Sequence, residues 1–482
     1  MTPDEFRKAG HALVEWIADY RERAATGEWP VQSPARPGEL LARLPAQAPE
    51  EGEAFDAILR DLDSLILPGI THWQDPRFFG YFPTAASLSS VLGDMASTGL
   101  GVIGLNWQAS PALTELEQAT TNWIRDLLGV SAAFSGVIID TASSASFVAL
   151  VCARERASAY AAATGGLQGF GPRLAIYTSA QAHSSVEKAA LLAGFGRDQV
   201  RMIALDEEFR MDVTALAQAV ARDRAAGMLP CAVVATSGTT ATTAFDDVAA
   251  IAAVARRENL WLHVDGAMGG AAMLLPEYRH YWAGIEDADS IVVNPHKWLS
   301  VAFDCSIYLV RDPQHLTRVM STNPSYLQTP MDAQVRNYRD WGVPLGRRFR
   351  ALKVWFALRD EGAAALRSRL RRDIDNARWL AAQVAAEPGW RVLAPVTLQT
   401  VCLRREPPGM DATQLDQHNR SWCQAVNDSG RAYLTPAIVN GRWLVRVSIG
   451  SALTERGHVQ SLWDLMRQLA AVNSSSSSHE RS

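Results

Sequence analysis

The chain has 482 residues, 48% hydrophobic and 20% charged, with a formal net charge of -5. That length exceeds one small core and predicts two or three domains. The slight acidic excess gives no electrostatic footprint for nucleic acid or an anionic membrane, and no apolar run reaches the 18 or so residues of a spanning helix.

In chain order, the opening MTPDEFRKAG is polar and lacks the apolar centre of a signal peptide. Phe6, Leu13, Ile17 and Tyr20 share one face at helical spacing and predict an amphipathic helix. The Pro-rich WPVQSPARPGELLARLP (29–45) is too irregular for a long helix and predicts an extended arm that must lie against something. These elements form an N-terminal segment, 1–87. From about residue 110, strand-like runs (LAIYTS, VRMIAL, CAVVATSG, NLWLHVD, SIVVNPHK) alternate with Ala-rich helical stretches such as DDVAAIAAVARREN. That alternation predicts βαβ units and a mostly parallel sheet covered on both faces, an α/β domain over 88–357. The helical LRSRLRRDIDNARWLAAQVAA and the runs RVLAP, LQTVCLRR and RWLVRVSIG predict a small α+β domain over 358–472. The tail 473–482 is serine-rich, of low complexity, and predicted to be disordered. Cys152, Cys231, Cys305, Cys402 and Cys423 are odd in number and lack CxxC spacing, which predicts a reducing cytoplasm and neither a disulfide framework nor a metal site.

Ligands of an open parallel sheet bind outside the carboxyl ends of its strands. The run LAIYTS leads to His183 and Ser184, CAVVATSG to Thr239 and Thr240, NLWLHV to Asp265, and SIVV to Asn294, His296 and Lys297. Upstream, DTASSAS (140–146) opens a helix whose first N–H groups and dipole suit a phosphate. A lysine after a buried strand needs compensation for its ammonium. An aspartate, a lysine and a phosphate cradle together suit pyridoxal 5'-phosphate: the lysine forms a Schiff base with the aldehyde, and the aspartate pairs with the ring nitrogen. Singly, each residue has an ordinary reading as a solvated loop lysine, a turn former, an N-cap or a hydrogen-bonded histidine. At consecutive strand ends those readings require several coincidences.

The chain also resembles the pyridoxal-phosphate-dependent aromatic amino acid decarboxylases of the group II family, in a bacterial-type form. The likeness runs nearly full length and rests on THWQDPRFFGYFPT (71–84), NWQASPALTELE (106–117), AHSSVEKA (182–189), SGTT with FDD (237–247), HVDGA (263–267), NPHKW (294–298) and NYRDWGVPLGRRFRALKVWF (337–356). It implies an aspartate-aminotransferase-type fold and a homodimer whose N-terminal segment wraps the partner. It implies Lys297 as the covalent anchor, Asp265 on the pyridine nitrogen, and His183 and Ala267 on opposite ring faces. Ala142, Ser143, Asn294 and His296 would serve the phosphate, and Thr240 and Asp246 the cofactor network. Tyr338, on a mobile loop, would protonate the carbon that loses carbon dioxide.

Trp73, Tyr81, Phe82 and Pro83 would give an aromatic wall, Thr84 a hydroxyl, and Ile103 and Leu105 a reach into the partner's pocket. Such a wall favours aromatic L-amino acids. Gly346 and the small Leu105 leave room for an indole, since a glycine at the former position goes with indole substrates in plant relatives. Gly266, Met268 and Leu105 depart from the family's usual residues and bear on pocket shape. Two alternatives stand beside decarboxylation of aromatic substrates. One is an aldehyde synthase, a branch that usually alters the loop tyrosine or the stacking histidine. The other is a decarboxylase of acidic amino acids, for which Arg77 is the candidate cation.

Overall fold

The five strand-like runs become the parallel core of a seven-stranded sheet. Its strands are β1 (Ser135–Ile139), β2 (Leu174–Ser179), β3 (Val200–Ile203), β4 (Leu229–Thr236), β5 (Trp261–Asp265), β6 (Ser290–Val293) and β7 (Ser306–Val310), in the order β1-β7-β6-β5-β4-β2-β3. The neighbours from β3 through β6 pair in parallel, whereas β7 is antiparallel to both β6 and β1. Two antiparallel steps restore the direction, so β1 points the same way as β2 to β6 and all six deliver their carboxyl ends to one edge. β2, β5, β6 and β7 are buried along their whole length, as expected for strands covered on both faces. The helix Ala142–Ala157 is itself apolar around most of its girth, and Ala145, Val148, Ala149, Leu150, Cys152 and Ala153 all lie in the core.

The computed structural model describes residues 1–82, 84–169, 171–322 and 324–479. The sheet belongs to a unit made of Thr84–Ile374 and Ala394–Thr400, and a second unit gathers Met1–Pro83, Asp375–Leu393 and Val401–Ser482. The second unit holds β8 (Trp390–Val392), β9 (Thr400–Arg405), β10 (Thr435–Val439) and β11 (Arg442–Ser448) in the order β10-β11-β9-β8. Its first helix, Pro3–Thr26, is capped by Thr2 and Glu5 and stopped by Gly27 at φ 74°, a conformation that glycine adopts at no steric penalty. Only the start of the Pro-rich arm docks on its own unit: Val31 is buried, whereas residues 34–39 and 41–45 are exposed. The Val31 N–H donates to Gly430 O at 2.9 Å, the Phe79 N–H to Tyr433 O at 2.9 Å and the Ser448 N–H to Phe79 O at 3.0 Å.

These units differ from the expected boundaries. The first break falls at 83/84. The second expected break, at 357/358, lies five residues before a real interruption of the helical stretch Ala351–Ala386, where Gly362 (φ 73°, ψ 156°) is non-helical and separates two helices; the boundary between the units falls later, between Ile374 and Asp375. The terminal helix runs from Arg456 to His479, through a serine run expected to be disordered. An apolar face of Val459, Leu462, Trp463, Met466 and Ala470 is buried and anchors that helix, and each residue added to a formed helix gains one backbone bond. Residues 480–482 lie outside the described residues. Among the described residues no helix is long and apolar enough to cross a membrane, and no cluster of metal-ligating side chains occurs. All five cysteines are free and buried.

Candidate active site

The shared edge of the large sheet collects the predicted polar residues. β5 ends on Asp265, 4% exposed, whose Oδ1 accepts the Ala267 N–H at 3.0 Å. Among the described residues Asp265 makes no ion pair, so a buried carboxylate presents Oδ2 without a neutralising cation. That is the environment in which a protonated ring nitrogen is a favourable partner. β6 runs into a tight turn in which the Lys297 N–H donates to Asn294 O at 3.0 Å, and Lys297 is half-buried there. β4 lies beside β5, with Thr236 opposite Asp265. Thr240 sits half-buried in the turn after β4.

His183 follows β2 and is exposed. Its Nδ1 accepts the Ser185 N–H at 3.2 Å and lies 2.8 Å from the Ser185 hydroxyl, which fixes the ring and leaves the proton on Nε2. Partial burial lowers its pKa below the ordinary histidine range. The Lys297 charge lowers it further, and Asp265 opposes; the net shift favours the neutral ring. His296 is held more deeply. Its Nδ1 accepts the Cys305 N–H at 3.0 Å, and burial, then the Lys297 charge, push its pKa down to about 3.

The phosphate cradle is legible in the hydrogen bonds. Ala142 opens the helix Ala142–Ala157 after Thr141, whose side chain caps nothing. The first N–H groups of that helix therefore remain for an anion. Ser143 is exposed beside them. Asn294 is oriented by the Ser306 hydroxyl, 2.7 Å from its Oδ1, and that hydroxyl also lies 3.2 Å from Asp140 O. Asn294 Nδ2 and His296 Nε2 are thus left to donate. A buried carboxylate, an oriented imidazole, an uncapped helix start and a half-buried lysine at one sheet edge fit pyridoxal phosphate.

Three expectations change. Tyr338 is 3% exposed and belongs to the core. Its hydroxyl donates to Gly136 O at 3.1 Å, low on β1, and at about 3.3 Å per residue that is roughly 10 Å back along the strand from Ile139. A phenol anchored there is not on a mobile loop. Aromatic spacing in NYRDW marks it as core; Trp341 meets it edge-on at 5.4 Å. The exposed tyrosine of this region is Tyr326, 77% exposed, in a single 3-10 turn, Ser325–Leu327. The polar, proline-bearing NPSYLQTPMD around it is the sequence signal for such a loop. Asp246, in turn, is a support. Its Oδ1 and Oδ2 accept the Met211 and Thr236 N–H groups, each at 2.7 Å, and burial raises its pKa to about 6. Lastly, Gly266 and Met268, expected to bear on pocket shape, are packed in the interior. Met268 is buried, and a Cβ on Gly266 would come within 3.0 Å of Trp282.

The expected substrate residues are distributed over both units. In the unit that holds the large sheet, Ile103 and Gly346 meet: the Gly104 N–H donates to Arg347 O at 2.9 Å, and a Cβ on Gly346 would touch Ile103 at 3.5 Å. Leu105 and Thr84 are half-buried. In the other unit Trp73 stacks on Tyr81 at 5.5 Å, and Phe82 lies under the Arg446 guanidinium at 4.9 Å. Pro83 lies outside the described residues. Arg77 is committed to Asp75 through Nε (2.9 Å) and Nη2 (2.6 Å) and to Trp29 O at 3.0 Å.

Residues 37–406 match the family model described as "Pyridoxal-dependent decarboxylase conserved domain". The chain is 37% identical over 485 residues to phenylacetaldehyde synthase of Arabidopsis thaliana, covering 98% of this chain and 97% of that protein. It is 39% identical over 484 residues to aromatic-L-amino-acid decarboxylase of Sus scrofa, covering 98% and 97%. The crystal structure of Oryza sativa TDC with PLP and tryptamine superposes with a TM-score of 0.94 at 35% identity, covering 98% of each chain. These relatives are plant and mammalian and lend no support to a bacterial subtype. The match over most of the chain, together with the lysine, aspartate and histidine at one sheet edge, makes this protein a member of the pyridoxal-dependent decarboxylase family and a pyridoxal-phosphate-dependent amino acid decarboxylase.

Proposed function

We propose that the enzyme decarboxylates aromatic L-amino acids to arylalkylamines and carbon dioxide, acting as a homodimer in a reducing, cytoplasmic setting. The observation that carries this reading is the full-length likeness to an aromatic amino acid decarboxylase and to a structure holding tryptamine. The stacked Trp73 and Tyr81 rings are in keeping with it, because such a surface rewards an aromatic side chain and gives nothing to a distal carboxylate. Arg77, the one cation in that segment suited to an acidic substrate, is neutralised by Asp75. The test is kcat/KM for tryptophan, tyrosine, phenylalanine, dihydroxyphenylalanine and glutamate. Glutamate matching the best aromatic substrate overturns the reading.

Pyridoxal phosphate, when bound, supplies an electron sink for the pair released as the carboxylate leaves. Lys297 would hold it covalently through Nζ, and Asp265 Oδ2 would keep a proton on its ring nitrogen. His183 would cover one ring face and Ala267 the other. Ala142, Ser143, Asn294 and His296 would take the phosphate, with Thr240 beside the cofactor and Asp246 bracing its loop from behind. Stabilising charge only where it develops lowers the barrier selectively.

The proton returned to the substrate carbon needs a donor able to reach it, and we assign that role to Tyr326 in place of Tyr338. Tyr326→Phe lowers amine formation by about 10²-fold or more and raises oxygen uptake and aldehyde. Unchanged amine output with no oxygen uptake would pass the role to His183. The same assay on the native enzyme separates decarboxylase from aldehyde synthase, which sequence identity to relatives of both kinds does not.

The homodimer reading rests on a stripe of exposed apolar residues, Leu88, Leu92 and Met95 on the helix Leu88–Leu100, continued by Leu100 and Ile103. Light scattering should give twice 52.5 kDa; a fully active monomer removes the reading.

A further inference from the structure

β1 is the outer strand of the large sheet, paired on one side only, with β7. An edge strand exposes a row of unpaired N–H and C=O groups. Here three of those groups are taken by side chains. The Ile138 N–H donates to Glu117 Oε1 at 2.7 Å, Arg347 Nη2 donates to Ile138 O at 2.6 Å, and the Tyr338 hydroxyl donates to Gly136 O at 3.1 Å. The three side chains also hold one another. Arg347 Nη2 donates to Glu117 Oε1 at 2.6 Å, and its guanidinium lies 4.9 Å from the Tyr338 ring centroid. Both charges are buried, with Glu117 0% and Arg347 4% exposed at the side chain. Glu117 reaches the strand because Gly136 lets the helix Pro111–Leu128 come close: a Cβ there would stand 2.6 Å from Thr121 Cβ.

The chain leaving β1 leads directly to the phosphate seat. Three residues after Ile138 comes Thr141, and then Ala142 and Ser143, the helix start assigned to the phosphate. The opposite side of the same turn is tied to Asn294 through Ser306. We propose that Glu117, Arg347 and Tyr338 are positioning residues for the cofactor phosphate: they stand in for a missing neighbour strand and fix the register at which β1 delivers Ala142 and Ser143. A buried, mutually hydrogen-bonded set suits this task, because moving one member breaks the bonds of the others, even though Glu117 Oε2 and Arg347 Nη1 are buried without a partner. The inference rests on the assignment of the phosphate to Ala142 and Ser143.

The test compares pyridoxal 5'-phosphate with pyridoxal, which lacks the phosphate, as ligands of the full-length protein stripped of cofactor. Tyr338→Phe keeps the shape and removes one hydrogen bond. Glu117→Gln keeps an acceptor for the Ile138 N–H and removes the charge, and serves if the first variant folds poorly. The expected result is a roughly three- to tenfold weaker affinity for pyridoxal phosphate, pyridoxal affinity unchanged within a factor of two, and faster amide exchange over residues 136–146 alone. Equal losses for both ligands, or no loss for either, overturns the proposal. Ser143→Asp separates the two readings, since it repels only the phosphorylated ligand if the seat is right. Discrimination by Ser143→Asp without discrimination by Tyr338→Phe removes the positioning role alone. No discrimination by either removes the phosphate assignment.

Discussion

Lys297→Ala should abolish the visible absorbance of lysine-bound cofactor and reduce turnover on the order of 10³-fold or more, the scale seen when a covalent anchor is lost. The lysine sits half-buried in the turn after β6, beside a neutral His296 and near Asp265 and His183. No other lysine lies in the NPHKW turn, so nothing local can replace Nζ. Borohydride treatment followed by mass measurement decides the matter: native protein gains a stable adduct and the variant does not. An adduct of equal yield in Lys297→Ala would move the anchor elsewhere. The substitution shortens a side chain near the surface of the site, so thermal stability without cofactor should change little.

Asp265→Asn is expected to lower turnover by about 10²–10³-fold while leaving the fold intact. The amide oxygen can still accept the Ala267 N–H that Oδ1 accepts now, so the turn after β5 survives. What is lost is the negative charge that keeps a proton on the cofactor's ring nitrogen. Each pKa unit lost at that nitrogen is worth about 1.4 kcal/mol, and two units account for the smaller figure. Cofactor affinity should fall as well, because the buried ring charge loses its counter-ion. Near-native rates in this variant would reduce Asp265 to a turn residue.

Much of the site is legible from residue patterns. The parallel strands and the polar residues at their ends follow from apolar runs that stop at His183, Asp265 and Lys297, because a buried strand must end where polarity begins. β1 and β7 are harder to see: SGVII and SIYLV are short and carry no obvious chemistry, although β1 leads straight into the phosphate cradle. β10 is obscured for a different reason, since Pro436 and an exposed Ile438 blur its alternation. Tyr338 misleads because its motif is specific, and specificity reads as reactive chemistry when here it encodes an edge strand's missing partners. Ser185 and Ser306 are invisible as functional residues in the sequence, because their roles depend on which nitrogen or amide they orient, and only the folded arrangement sets that.

The backbone bonds from Val31 and Phe79 to Gly430 and Tyr433 have a consequence for synthesis. Roughly 350 to 400 residues separate the two halves of that contact, and translation at about 5–20 residues per second puts their emergence from the ribosome roughly 20–80 s apart. Until then the early segment, with Phe78 and Phe79 that end fully buried, waits without its mate. Any nascent chain truncated before Gly430 therefore displays those two aromatic rings permanently, and such fragments should be the species that chaperones retain and proteases clear.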